Sequence, residues 1–358
     1  MRILQRYLHV IKCQLPRIIL FGALSGCLTP IDVNIDNTSG IVVISGQVSN
    51  IADQTEVQVG LTADTDRLPF PVSEAAVNII DETTGESIAL FESSSAPGIY
   101  HPTNYAGVPG HAYHVEIELP QRGSYRSETD VMPDAPGTIQ AGYEFKVQSY
   151  TDFDGVVSDQ PFLFVYVDAE LPEASGSQYL KWNVDEVFLL SPTDFPDPFG
   201  NVPPSCLVAQ RVDPQRVTLY DGTKVTTRKI DKLLVAVRIV DWTFLEKHAI
   251  TVYQSAISAR THTYWHQADL LSNQTGSIFD TPPAELKGNV HGNGNERVFG
   301  LFSANAQALN RFFLYRSDLP FPLLVTDCVY AAERSSYPDR CLDCTSVRNS
   351  SYNRPDWF

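Results

Sequence analysis

The chain lacks an apolar run long enough to cross a bilayer. Ile18 to Ala23 falls far short of the roughly 20 residues a spanning helix needs, and no second long run follows. Basic charge is scarce: 26 Lys+Arg stand against 42 Asp+Glu, a net −16. Nucleic acid and anionic headgroups are therefore poor partners, since neither attracts such a surface. No Gly-x-Ser-x-Gly elbow occurs. The glycine cluster Gly288 to Asn295 lacks the lysine and hydroxyl residue of a phosphate-cradling loop, and is expected to be a flexible surface loop. Acid pairs abound, so no two carboxylates single out a glycosidase. No catalytic constellation assembles, no cofactor is implied, and the expectation is a protein that is not an enzyme.

The N-terminus is informative. Arg2, Arg6, Lys12 and Arg17 precede the apolar run, and Leu24-Ser25-Gly26-Cys27 closes it. Basic start, short apolar middle and small residues before a cysteine make an export signal. The ending is the lipobox of bacterial lipoproteins, so Cys27 is the expected lipid-attachment site and residues 1–26 the signal peptide. Removing them takes away four basic residues and no acidic one, leaving 22 − 42 = −20. With no basic patch, adhesion would rest on acyl chains, at about 0.8 kcal/mol per buried methylene.

Four cysteines remain: Cys206, Cys328, Cys341 and Cys344. An even number in an exported chain points to structural disulfides, with three pairings open. Cys341-x-x-Cys344 lies in a polar tail, away from the strand–helix junction of a redox site, and no second pair completes a zinc centre.

Residues 27–40 are polar and suit a tether. From 41 to 132 short strand patterns alternate with turns, as in a β-sandwich. Tyr113, Val115, Ile117 and Leu119 alternate with His114, Glu116 and Glu118, which predicts a half-buried strand with His114 solvated. Pro71 to Val77, Thr84-Gly85 and Pro97-Gly98-Ile99-Tyr100 resemble the strand series of immunoglobulin-like or transthyretin-like surface modules. Pro133 to Gly137 reads as a linker, and residues 138–358 as a larger β-rich domain. There Phe162 to Val167 predicts a buried central strand. Leu180, Trp182 and Val184 alternate with Lys181, Asn183 and Asp185. Lys232 to Val240 and Ala249 to Tyr253 predict further strands, with short ones at Arg297 to Phe302 and Arg311 to Tyr315. The five prolines of 191–204 require a surface loop. One helix is expected near 257–272, with Ile257, Thr261, Tyr264, Ala268 and Leu271 on one face. The fold class is thus mainly β: an immunoglobulin-like or transthyretin-like sandwich, then a larger β-rich domain with one prominent helix.

The weak metal candidates are His262 and His266, four apart on that helix with Asp269 beyond. Thr263 stands where a zincin carries its general base, so two solvated histidines are the expectation. Asp152-Phe153-Asp154-Gly155 has no bidentate glutamate at the twelfth position and reads as a turn. Asp194 and Asp197 could approach a hard cation, but nothing fixes their geometry. Trp242 and Trp265 could line a groove, although Trp265 beside a helical stripe suits a core.

The order of motifs carries a resemblance. After the lipobox come Ile41-Val42-Val43-x-Ser45-Gly46-x-Val48 and the Pro71-Val72-Ser73 module. Tyr264-Trp265, Gly276 to Ala284, Gly288-Asn289-Val290 and Val298 to Ala304 follow, then Cys341-Leu342-Asp343-Cys344 and Pro355-Asp356-Trp357-Phe358. This resembles domain-of-unknown-function family 4249 of Bacteroidota lipoproteins across essentially the whole mature chain. The family usually ends in Pro-Asp-Phe-Trp after a glycine-rich turn; here the aromatics are exchanged and Arg348 to Ser351 replace the glycines. Membership implies an outer-membrane lipoprotein, displayed at the cell surface or on the periplasmic face, often encoded beside a TonB-dependent transporter. No activity or catalytic residue comes with it. The expected function is a non-enzymatic accessory or binding component of TonB-dependent nutrient uptake, with ligand unknown. The alternative is a structural or adhesive envelope lipoprotein. A metal-dependent hydrolase would need a third ligand meeting His262 and His266.

Overall fold

The computed structural model describes residues 40–63, 70–152, 154–171, 178–191, 204–225, 227–272, 286–294, 296–323 and 337–358. The signal segment with Cys27, and Cys328, Asp194, Asp197 and Gly276 to Ala284, lie outside them.

The fold is mainly β. Strands β1 (Val42–Ser49), β2 (Glu56–Leu61), β3 (Phe70–Pro71), β4 (Ala76–Asp81), β5 (Glu86–Glu92), β6 (Ile99–Pro102), β7 (Ala112–Leu119), β8 (Gly123–Ser127) and β9 (Asp130–Val131) form the first part. There follow β10 (Thr138–Thr151), β11 (Val157–Glu170), β12 (Tyr179–Leu190), β13 (Cys206–Val212), β14 (Thr218–Asp221), β15 (Lys229–Ile239) and β16 (His248–Ile257). Helix α1 (Ala259–Ser272) precedes β17 (Val290–Gly292), β18 (Val298–Phe299) and β19 (Phe302–Leu314). Helix α2 (Asp339–Leu342) and β20 (Ser350–Ser351) close the chain. No helix among the described residues is long and apolar enough to cross a membrane.

The alternation in β7 is realised: Tyr113, Val115, Ile117 and Leu119 are all buried, each apolar side chain worth about 1.5–3 kcal/mol over an exposed position. Thr84-Gly85 makes the β4–β5 turn. Asp81 Oδ1 accepts from the Thr83 and Thr84 amides, and Gly85 takes the positive φ of 76° that a side chain would resist. Asp152 likewise caps the β10–β11 hairpin, accepting from the amides of Asp154 and Val156. β11 is the centre of the three-stranded sheet β10-β11-β15, as its apolar run demands.

His114 differs from its expectation. It is only 3% exposed, because β7 lies between β4 and β8 and long neighbours cover its polar face. Its Nδ1 is 2.7 Å from Glu82 without hydrogen-bond alignment, and its Nε2 is 3.2 Å from Glu116.

The segments 41–132 and 138–358 share one sheet and one core. β19 runs parallel to β1 with its first residues (Gly46 opposite Phe302, Ser49 opposite Asn305) and antiparallel to β16 with the rest. It is thus the seam between the early and late strands, and residues 39–358 form one compact unit. The Pro133 to Gly137 segment is pinned to that unit. Buried Gln254 donates to Pro136 O at 2.9 Å while accepting from Trp182 Nε1 at 3.0 Å.

The glycine cluster is more than a surface loop. Asn289 is 2% exposed and clamps Phe302 from both sides, donating to its carbonyl at 2.8 Å and accepting from its amide at 2.9 Å. Gly288 packs on the backbone of Gly300, and Gly300 on that of Ile44, so closely that any β-carbon would collide. β17 then pairs with β8, joining the late strands to the far edge of the first sheet.

Candidate functional site

β19 was expected as loops flanking short strands. In the structure it is one strand of 13 residues, because Ser303, Asn305 and Gln307 alternate with Phe302, Ala304 and Ala306. The apolar set faces the core. The polar set joins its neighbours across the sheet, since paired positions project to the same side. Glu56 lies opposite Gln47, which lies opposite Ser303; Gln307 lies opposite Ser255, which lies opposite Lys181. The result is a polar sheet face roofed at one side by α1.

Ser258 Oγ accepts from the Thr261 amide at 3.2 Å and so caps α1, which begins two residues later than expected because Ile257 still belongs to β16. Thr261 is buried and Tyr264, Ala268 and Leu271 are half-buried, as the helical spacing predicts, and Trp265 beside them is half-buried too. Trp265 turns toward the sheet face, with Lys181 Nζ 4.4 Å from its ring centroid. Trp242 does not reach this place; it packs edge-on to Phe188 at 6.0 Å.

Between helix and sheet lies a cavity of about 200 Å³, lined by Ser45, Gln47, Glu56, Gln58, Lys181, Asn183, Arg211, Tyr264, Trp265, Ser303 and Asn305, among others. Two of these groups are not satisfied by the protein. Lys181 is 9% exposed and donates to Asn183 Oδ1 at 2.7 Å, with no carboxylate in ion-pair range among the described residues. Burial, reinforced by Arg211, pushes its ammonium down to about 7. Asn305 Oδ1 is buried without a hydrogen-bond donor. Its orientation is set by its Nδ2, which donates to Gln47 Oε1 at 2.9 Å and Ser303 Oγ at 3.0 Å, while Gln47 donates to Gln54 O at 2.7 Å. Arg211 is engaged with Asp185 at 3.3 Å. Lys181 is thus a buried cation at the cavity wall with no carboxylate beside it among the described residues, whereas Asn305 Oδ1 is an unpaired acceptor sealed inside that wall.

The same face continues into a second groove of about 450 Å³ beside Tyr253, Leu309, Arg311 and Trp357. There the C-terminal tail docks, with the Arg311 guanidinium 3.5 Å from the centroid of the Trp357 ring. A larger groove of about 610 Å³ lies between β4, β7, β8 and β17. Its charges are exposed and already paired, His291 with Glu128 at 3.1 Å and Arg126 with Glu82 at 3.4 Å. A third charged cluster is sealed in the core. Glu186, wholly buried, meets His248 at 2.9 Å and Arg238 at 3.0 Å. Burial alone would raise its carboxyl, but the bonds from His248, Arg238 and Gln210 outweigh that and hold it below the usual carboxylate range.

The helix histidines differ from the expectation of two solvated rings, because the first of them is buried. His262 is 8% exposed and packs on Tyr179 with ring centroids 4.7 Å apart, whereas His266 is exposed. Burial lowers the His262 imidazole's proton affinity. No group of three metal-ligating side chains converges among the described residues. Cys206 and Cys344 form a disulfide, and Cys341 is also disulfide-bonded. Lys181 and Asn305 were missed by sequence reasoning. The polar alternation in β12 and β19 was their signal, and it looked like a solvated face.

The family described as Domain of unknown function (DUF4249) matches residues 28–311. No curated protein matches the chain. The whole lining of the cavity falls within the matched span, whereas Cys344 and Trp357 lie beyond it.

Proposed function

The chain belongs to the DUF4249 family, and on that premise we propose that it is a non-enzymatic binding lipoprotein serving a TonB-dependent nutrient-uptake system of the outer membrane. Acylation at Cys27 would hold it in the membrane plane, displayed at the cell surface. Tethering there raises its effective concentration near a transporter without any new contact. The binding half of this reading is carried by one observation: a polar cavity whose wall holds Lys181, a buried ammonium with no carboxylate in ion-pair range among the described residues. The transporter half rests on the family resemblance. The reading assigns the cavity to binding, with no catalytic step.

A thermal-shift screen of small nutrients on the full-length lipoprotein in detergent tests the binding half. A ligand that binds only the folded state raises Tm, by about 2.7 kcal/mol of stability at one hundred times its Kd. At least one soluble molecule is expected to do so in the native protein and to lose its effect in Lys181→Met. If none stabilises the protein, the structural or adhesive reading takes its place.

A further inference from the structure

Resting on the reading of this cavity as a ligand site, we infer that it binds a short organic monocarboxylate whose carboxylate accepts from the buried Lys181 ammonium.

An ammonium has three N–H donors. That of Lys181 gives one to Asn183 Oδ1 at 2.7 Å and sits over the Trp265 ring, 4.4 Å from its centroid. Among the described residues nothing else accepts from it. The side chain is 9% exposed and borders the cavity, so its remaining donor is a contact that an incoming group can make.

The surrounding charges set the sign and the number. Arg211 of β13 and Asp185 of β12 pair with each other at 3.3 Å. Glu56 of β2 lines the cavity but is exposed, so water and salt screen its carboxylate. The Tyr264 hydroxyl of α1 stays neutral, because burial makes it harder to ionise. One buried positive charge is left without a counterion, and one carboxylate matches it. A dianion would carry a second charge into a wall that offers no further free cation. Burying an ammonium alone costs free energy, which a charge-assisted hydrogen bond to a carboxylate relieves.

The size and the apolar part of the lining set the body. A volume of about 200 Å³ lies below the roughly 300–1,000 Å³ of sites for drug-sized molecules. It holds a small acid and not a peptide. Ile257, Leu301, Tyr264 and Trp265 also line it, giving a short carbon body apolar surface beside the carboxylate.

The test is calorimetric titration of the full-length protein in detergent at pH 6. The probes are acetate, propionate and lactate, their neutral counterparts acetamide, propionamide and lactamide, and inorganic sulfate and chloride. At least one acid is expected to bind at least tenfold more tightly than its own amide and than either inorganic ion. Lys181→Met should abolish that preference. In the native protein the affinity should fall about tenfold from pH 6 to pH 8, because burial has pushed the ammonium down to about 7. At pH 8 binding should take up about one proton per ligand, read from the heats in two buffers of different ionisation enthalpy. The pH series needs no variant, so it decides the matter even if Lys181→Met folds poorly. Acid binding that survives Lys181→Met, or that takes up no proton at pH 8, would overturn the inference. Sulfate or chloride binding as tightly as the acids would overturn it too. Amides binding as tightly as their acids would overturn it and leave the binding reading standing. Silence from every probe would overturn the inference, and the broader nutrient screen then decides the binding reading separately.

Discussion

Lys181 and Glu186 stand five residues apart on β12 and show two ways of burying charge. Glu186 is on the core face and is met by His248, Arg238 and Gln210, so its charge is fully compensated. Lys181 is on the opposite face, and among the described residues no carboxylate lies within ion-pair distance of it. Its folded-state value of about 7, against 10.5 for a free lysine, has a definite consequence for stability. Below pH 7 both folded and unfolded states carry the charge, and the folded state bears the whole cost of burying it. Between pH 7 and 10.5 the unfolded chain binds the extra proton, so stability rises with pH through that window. Lys181→Met should therefore raise Tm at pH 6, by a stability gain of up to about 5 kcal/mol. The difference should shrink as pH climbs toward 10. Thermal denaturation of both proteins at pH 6 and 9.5 checks this; equal Tm values at pH 6 would contradict an uncompensated buried ammonium.

At the scale of elements, what was legible followed hydrophobic period. β7 and β11 were read correctly because their apolar residues alternate or run together, and α1 because its inward positions recur at three and four. β19 was fragmented because half of its residues are polar, although the alternation of Phe302, Ala304 and Ala306 with Ser303, Asn305 and Gln307 is itself a strand pattern. A polar face is normally taken for solvent. What roofs this one is the helix α1 packed against β12, a contact distant in sequence that no local period encodes. His114 was misjudged for the same reason. The buried clamp of Asn289 on Phe302 was hidden in a run of glycines. Among the cysteines the number was legible and the pairing was not, since Cys206 and Cys344 are 138 residues apart. Their bridge closes β13 onto the segment after α2, and β20 pairs with β13 beside it. Loop-closure entropy puts its contribution at about 2–5 kcal/mol. Cys344→Ser should lower the urea midpoint accordingly and loosen the tail, seen as faster proteolysis near residue 350. A midpoint unchanged from the native protein would show the bridge to be dispensable.

At the scale of the molecule, a single compact unit from 39 to 358 carries a polar sheet face, proposed above as its recognition surface, while its apolar residues close a core that spans both halves. The chain carries far more acidic than basic residues, and such a body is repelled by anionic headgroups. Attachment to a membrane would then depend on Cys27. Cys27→Ala should appear in the soluble periplasmic fraction, and tight membrane association of that variant would refute the anchor. The disulfide agrees with an oxidising compartment, where such bonds persist.

A place beside a transporter is proposed for this lipoprotein. It is tested most directly by affinity purification of the tagged native protein from outer membranes in mild detergent, with mass spectrometry of what accompanies it. A TonB-dependent transporter is expected in near-stoichiometric amount. Recovery of the lipoprotein alone, under conditions that keep known outer-membrane complexes together, would contradict it and leave a structural or adhesive envelope protein in its place.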